Sequence, residues 1–112
     1  PELHLSTGMF FLMKEKILPL WEDKNNISGG CWSYKVGKKE ASQAYLGLLK
    51  TIISEGACPK YPEIINGASI SPKKGFCIIK VWNNNSIHSN PDLLSDKIDS
   101  IDISQTIYKP YS

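Results

Sequence analysis

Two tryptophans stand where an indole ring could stack on a ligand instead of filling the core. Trp21 is followed at once by Glu22 at the edge of a polar loop, and Trp82 ends a run of β-prone residues. The face of an indole attracts positive charge, and a carboxylate accepts two parallel N–H bonds. A ring beside a carboxylate therefore suits a cationic or guanine-like base, read by stacking and edge pairing as in single-stranded RNA recognition. Core packing is the alternative for both rings, and it is the expected role of Trp32, which lies inside a predicted strand.

The charged residues limit how a nucleotide could be held. The 112 residues carry a net charge of only +2, and all 13 basic residues are Lys. A net charge this small excludes a protein that binds polyanions through overall positive charge alone. Without Arg there is no planar fork to grip phosphate bidentately. Any phosphate contact must therefore come from Lys ammonium groups, hydroxyls or backbone N–H groups.

The metal-ligating and nucleophilic residues are too sparse for a metal centre or an active site. Cys31, Cys58 and Cys77 are odd in number and widely spaced, and only His4 and His88 could join them. A disulfide framework or zinc site is thus disfavoured, and we expect buried free thiols in a reducing, cytoplasmic compartment. No nucleophile motif or phosphate-binding loop occurs, and no apolar run is long enough to span a bilayer. The sequence predicts a protein that is not an enzyme, needs no cofactor and does not enter a membrane.

One amphipathic helix is the clearest element that could position these residues. From Glu40 to Glu55 the apolar residues recur at helical spacing, and Gly56 and Pro59 stop the pattern. The residues that form it are Ala41, Ala44, Tyr45, Leu48, Leu49, Ile52 and Ile53.

Alternation and turn residues predict the strands of a sheet. We expect strands over Cys31–Val36, Ile64–Ser71 and Phe76–Trp82, with a turn at Pro72–Gly75 between the last two. A further strand is predicted over residues 101–107. A short helix is predicted over residues 91–99, and a helical turn or irregular segment over residues 9–20. The class is α+β, an antiparallel sheet with helices on one face.

The order of these blocks resembles the translation initiation factor 4E family, whose members bind the 5′ cap of mRNA. The family reads Trp-Glu-Asp, a charged or Asn-rich stretch, and then Gly-Gly-x-Trp. The corresponding stretches of this chain are Trp21-Glu22-Asp23, Gly29-Gly30-Cys31-Trp32, Ala44–Leu49, Asn66–Ile70 and Phe76–Trp82. The resemblance covers roughly Met9 to Tyr108. It implies a curved antiparallel sheet with helices on its convex face.

The resemblance also implies roles in binding 7-methylguanosine. Trp21 matches one of the two rings that sandwich the base, Glu22 matches the acid that reads the guanine edge, and Trp82 matches the Trp near the N7 methyl group. Methylation makes the base cationic, so stacking gains a cation–π contribution that plain guanine lacks. Lys73 falls on a phosphate-binding Arg of the family. Lys80 and Lys74 are further candidates for the phosphates, and a solvated surface charge is the alternative for each Lys.

The helix carries a second implied site. Tyr45, Leu46, Leu49 and Ile52 match positions where the family binds helical YxxxxLφ peptides of scaffold and repressor proteins. Core packing, or cover by chain that is absent here, is the alternative. Gly47 replaces an acidic residue of the family at this surface.

The chain departs from the family pattern at several places. Cys31 stands where the family has a phosphate-side Arg, and the second stacking Trp belongs to a segment upstream of Pro1. We therefore expect residues 1–112 to be the C-terminal portion of a single cap-binding domain. Two functions follow as hypotheses: binding of the mRNA cap, or an interaction module that has lost the cap site and binds a scaffold peptide through its helix.

Overall fold

Strands account for most of the regular structure. In the computed structural model, which describes residues 2–6, 9–14 and 23–111, six antiparallel strands form one sheet. They are β1 (Glu2–Ser6), β2 (Met9–Met13), β3 (Gly30–Gly37), β4 (Ile65–Pro72), β5 (Phe76–Asn83) and β6 (Ile107–Pro110). The described residues also form one α-helix, α1 (Ala41–Ile53), and three short 3₁₀ turns. The predicted α+β class with an antiparallel sheet is confirmed, although a single α-helix takes the place of several.

The order of the strands across the sheet is β1-β2-β4-β5-β3-β6. β4 and β5 form a hairpin, as the turn residues between them predict, and the sheet places this hairpin at its centre. β2 pairs with β4 on one side, and β3 pairs with β5 over its whole length on the other. β6 pairs only with residues 30–33 of β3. β5, the strand that carries Trp82 and Lys80, is therefore paired along both of its edges, with β4 and with β3.

The helix α1 packs against one face of the sheet through a narrow apolar stripe. Ala41, Ala44, Tyr45 and Leu48 are buried, and the Tyr45 hydroxyl donates to the Ala68 carbonyl of β4 at 3.1 Å. Alternation along the strands sends Tyr34, Ile79 and other apolar residues to this same face. The predicted helix over Glu40–Glu55 is confirmed with both ends slightly shorter.

Trp32 is the largest side chain that is fully buried in this core. Its indole N–H donates to the Ser89 carbonyl at 3.2 Å, and its ring meets that of Tyr108 edge to face, with centroids 5.4 Å apart. The expectation of a core tryptophan is thus confirmed. The three cysteines are also buried and free, as predicted.

The first part of the chain differs from its predicted structure. Residues 9–20 are predicted as a helical turn or irregular segment, but Met9–Met13 form β2. A short apolar run does not distinguish strand from helix by itself, and here pairing with both β1 and β4 decides. The remainder of that predicted segment, from residue 15 onward, lies outside the described residues.

The helix and the strand predicted near the C-terminus differ from the structure in length and position. The helix expected over residues 91–99 is a single 3₁₀ turn, Pro91–Leu93, after which Leu94 is extended. The strand expected over residues 101–107 is also a turn, Ile103–Gln105, and the strand begins only at Ile107. The Asp102 carboxylate accepts from Ser104 N at 3.1 Å and from its hydroxyl at 2.6 Å. Such local bonds compete with strand pairing.

Candidate functional site

The face of the sheet opposite α1, here called the open face, carries the candidate ligand contacts. Because Trp32 and Val81 point into the core beneath α1, their neighbours Cys31 and Trp82 point to the other side. The register places Gly67, Trp82, Cys31 and Lys109 side by side across β4, β5, β3 and β6. Trp82 thus lies in the middle of the sheet, between a glycine and a cysteine.

Trp82 is held firmly in this position. It packs with Met13 and Cys31 in a small apolar cluster, and its indole N–H donates to the Ser69 hydroxyl at 3.2 Å. The Tyr111 ring adds a second contact, with centroids 5.5 Å apart and planes inclined by 54°. Only 6% of Trp82 is exposed. The indole can therefore offer an edge to a ligand above it, but not a free stacking face.

The three predicted lysines lie at different distances from Trp82. Lys80 lies two residues from Trp82 on β5, about 7 Å along the strand, and its register partners are Ser69 and Ser33. Lys73 and Lys74 are exposed in the β4–β5 turn beyond Phe76, roughly 20 Å of strand from Trp82. Lys80 is thus the nearest predicted cation. The other two reach a ligand on Trp82 only if that ligand is long.

Two further open-face residues were not singled out in the sequence. Lys109 lies beside Cys31, and Tyr111 packs on Trp82. Burial, with Cys31 nearby, raises the pKa of the Tyr111 phenol above its ordinary value, so this phenol is neutral at physiological pH. The signal for both residues is the alternation along β6, and it was missed because the last strand was placed several residues too early.

A hollow of about 460 Å³ continues from the Lys80 row toward the edge of β3. It lies next to Ile107, the first residue of β6, and it has an apolar floor with one cation and one carboxylate. Its lining includes Ser33, Lys35, Ile78, Asp102, Gln105 and Ile107. The ammonium group of Lys35 also lies 4.5 Å from the centre of the Phe76 ring. The open face is therefore continuous from Trp82 to this edge.

Trp21 and Glu22 lie outside the described residues, so their predicted roles stay predictions. The loop that follows them is fixed by its own turn. The Asp23 carboxylate accepts from the backbone N–H of Asn25 at 2.8 Å, and the Asp23 carbonyl accepts from Asn26 N at 2.8 Å. At the far end, Gly30 N donates to the Asn83 side chain at 3.1 Å. The chain directly after Glu22 is thus anchored to the sheet.

Comparison with known proteins decides the family. A family model described as eukaryotic initiation factor 4E matches residues 2–109. The chain belongs to the initiation factor 4E family. Translation initiation factor 4E-3 of Caenorhabditis elegans is 29% identical over 91 residues, which is 75% of this chain and 36% of that protein. The initiation factor NCBP of Oryza sativa is 33% identical over 88 residues, 78% of this chain and 38% of that protein. The chain spans a little over a third of the length of these relatives.

Solved structures of initiation factor 4E proteins share the fold. A complex of Ascaris suum eIF4E-3 with the m7G cap superposes with a TM-score of 0.75 at 29% identity, covering 96% of this chain and 65% of the other. A complex of C. elegans eIF4E-3 with the 4E-binding protein Mextli and a cap analog gives 0.77 at 26% identity, covering 90% and 61%. The resemblance in sequence and the expected fold are therefore both confirmed.

On the face of the sheet opposite the open face, α1 forms one wall of an apolar groove of about 600 Å³. Tyr45, Leu46 and Leu49 line it, together with Ile70 of β4. Leu46 is 55% exposed, whereas Tyr45 is mostly buried. Ile52, the fourth predicted residue, lines a separate hollow near the end of α1. Three of the four predicted partner-binding residues thus share one groove.

No helix in the described part of the chain is long and apolar enough to cross a membrane. The described residues also contain no group of three His, Cys, Asp or Glu side chains arranged to hold a metal ion.

Proposed function

We propose that this chain binds the 7-methylguanosine cap of mRNA and acts in translation initiation in the cytoplasm. In this proposal Trp21 stacks on the methylated base, Glu22 accepts from the guanine edge, and Trp82 lies beside the N7 methyl group. Lys80, with Lys73 and Lys74 farther along, neutralises the phosphates. The protein is a binding factor and not an enzyme, and it needs no cofactor.

The chemistry of the open face is the observation that carries this proposal. Strands β3 to β6 bring Lys35, Lys80 and Lys109 to that face, and none of their described open-face positions is Asp or Glu. Trp82 is fixed in the middle of the same face, with Lys80 two residues away on β5 and Lys109 beyond Cys31 on β6. A face that carries an aromatic edge together with ammonium and hydroxyl groups suits an anionic nucleotide with an aromatic base. Relatives solved with a cap give independent support.

Retention on immobilised 7-methyl-GTP tests the proposal. We expect the chain to be retained, and to be released by free 7-methyl-GTP at a concentration at which GTP releases none. Methylation creates the positive charge that strengthens stacking, so a true cap site must discriminate between the two nucleotides. Equal release by both nucleotides would overturn the proposal.

Replacing Lys80 by Ala is expected to weaken binding of 7-methyl-GTP about three- to tenfold at low salt, and to reduce the dependence of log Kd on log salt. The reason is the loss of the cation nearest to Trp82 on β5. Fluorescence titration at several salt concentrations measures both quantities. Lys97→Ala is the matched control, because Lys97 is exposed in the segment whose neighbours Leu94 and Ile98 pack in the core beneath α1. The same salt dependence in both variants would remove Lys80 from the phosphate site.

A second proposed function is binding of a scaffold or repressor protein through the groove beside α1. The supporting observation is Leu46, a large aliphatic side chain left exposed at the rim of an apolar groove. A helical peptide with an YxxxxLφ motif offers apolar residues at the spacing that such a groove accepts. The relative solved with Mextli supports a protein partner of this kind. This function does not require an intact cap site.

Leu46→Asp is expected to weaken binding of an YxxxxLφ peptide at least about tenfold, because a carboxylate at the rim must be desolvated when the apolar peptide docks. Fluorescence anisotropy with a labelled peptide measures the effect. Gln43→Asp is the matched control, since it places the same charge on an exposed position of α1 that does not line the groove. Retention on 7-methyl-GTP should be the same for both variants. Unchanged peptide affinity in Leu46→Asp would refute the groove as the partner site.

A further inference from the structure

Asn66 is an asparagine with an unusual position in the sheet. It lies where the register of β4 against β5 shifts, because Ile65 pairs with Asn83 whereas Gly67 pairs with Trp82. The ladder thus leaves Asn66 without a partner on β5, and such a bulge redirects the side chain of the extra residue. Asn66 is only 2% exposed.

The backbone and the side chain of Asn66 bind two separate stretches of the chain. Its backbone carbonyl accepts from Lys14 N at 2.7 Å. Its side-chain amide donates to the Asn25 carbonyl at 2.7 Å and to the Asn26 side-chain oxygen at 2.8 Å. Asn26 is fully buried. Both amide hydrogens of Asn66 are therefore used, and both are directed at oxygen atoms.

These contacts join the two ends of one segment. Lys14 is the last described residue before residues 15–22, and Asn25 and Asn26 belong to the turn that begins at Asp23. The segment between them contains Trp21 and Glu22. One buried residue thus contacts both ends of that segment, Lys14 through its backbone and the Asn25–Asn26 turn through its side chain.

We propose that Asn66 is a positioning residue for the cap site, acting through the chain between Lys14 and Asn25; this inference rests on the proposed function. A guanine edge is read only when the carboxylate acceptor lies at the correct distance and angle from its donors. A small shift of the ends of the segment changes that geometry without removing any group that touches the nucleotide. Asn66 thereby determines how well methylated and unmethylated guanine are told apart.

Asn66→Asp tests the inference with almost no change of shape. The carboxylate loses both N–H donors and faces the two oxygens that Asn66 satisfied, so both contacts become repulsive. We expect the ratio of the Kd for GTP to the Kd for 7-methyl-GTP to fall at least about tenfold, the equivalent of one lost hydrogen bond to a charged group. Titration of the whole chain with each nucleotide measures this ratio.

The ratio separates positioning from loss of stability. Partial unfolding lowers the apparent affinity for both nucleotides by the same factor and leaves the ratio unchanged. Leu48→Ala is the control, because Leu48 is a fully buried residue of α1 and lies outside the proposed sites. If Asn66→Asp keeps the parent ratio, or if Leu48→Ala loses it equally, the inference is overturned. If Asn66→Asp does not fold, as judged by circular dichroism, Asn66→Ser is used with the same criteria, because it keeps one hydroxyl donor on a shorter side chain.

Amide hydrogen exchange provides a readout that does not depend on any nucleotide. We expect Asn66→Asp to accelerate exchange at Lys14, Asn26 and Ile27 more than in the body of the sheet, because the N–H groups of these residues are bonded at the two tied ends. Exchange unchanged at these three amides would overturn the inference. If the parent chain does not discriminate between the nucleotides, the proposed function fails, and exchange alone then decides whether Asn66 holds the segment.

Discussion

Replacing Glu22 by Gln is expected to weaken binding of 7-methyl-GTP about a hundredfold, because one hydrogen bond to a charged acceptor is lost and the other becomes a weaker bond to a neutral oxygen. A guanine edge presents two N–H donors, and a carboxylate accepts both. Gln keeps the size of the side chain but offers one oxygen and one competing N–H₂ donor. Binding of plain GTP, which stacks less strongly, should become too weak to measure by the same titration.

Glu40→Gln is the matched control for this prediction. Glu40 is exposed, precedes α1 and makes no capping bond through its side chain. Its replacement should change neither affinity, and both variants should unfold at the same urea concentration as the parent. Glu22→Gln with parental affinity would remove Glu22 from the nucleotide site. The role of Trp82 as a wall of the site would then need separate evidence.

Trp32→Ala is expected to lower the free energy of unfolding by about 3–5 kcal/mol, as for other large aromatic residues removed from a core. Trp32 is completely buried and donates to the Ser89 carbonyl, so its loss creates a cavity and leaves that carbonyl without this donor. Domains of this size are stabilised by only about 5–15 kcal/mol in total. The loss is therefore a large fraction of the total stability of the fold.

Urea denaturation followed by circular dichroism measures this loss. Trp32→Phe is the control, because it keeps a ring against Tyr108 but removes the N–H donor. Its midpoint should fall between those of the parent and Trp32→Ala. A loss below about 1 kcal/mol in Trp32→Ala, the size of an ordinary surface effect, would contradict the description of Trp32 as the centre of the core.

The elements with a clear period could be predicted from the sequence. The stripe through Ala44 and Leu48 indicated α1, and Pro72–Gly75 indicated the central hairpin. β2 was not predicted, since its apolar run carries no period that favours a strand over a helix, and only its pairing with β4 decides. The start of β6 was predicted several residues too early, because the Asp102 side chain stabilises a turn there. The alternating Ile residues of this stretch give no sign of that local contact.

The residue types of the candidate site could be predicted from the sequence, but the residues that hold them in position could not. Trp82 and Lys80 follow from the alternation along β5, and the structure brings both to the open face. Asn66 could not be singled out, because its importance depends on a register shift and on contacts 40 and 41 residues away in the chain. A polar residue in a strand pattern gives no sign of such distant partners. Long-range bonds of this kind are read only from a structure.

The order of the strands also determines when the chain can fold during synthesis. β1 and β2 can pair as soon as they leave the ribosome, but β3 finds both of its partners, β5 and β6, only later in the chain. β2 must therefore wait for β4, and β3 must wait for β5. Sheets closed by such distant pairings fold slowly and expose unpaired edges in the meantime. We expect nascent chains that end before residue 83 to remain unfolded, with the apolar strand β2 open to chaperones until the central hairpin emerges.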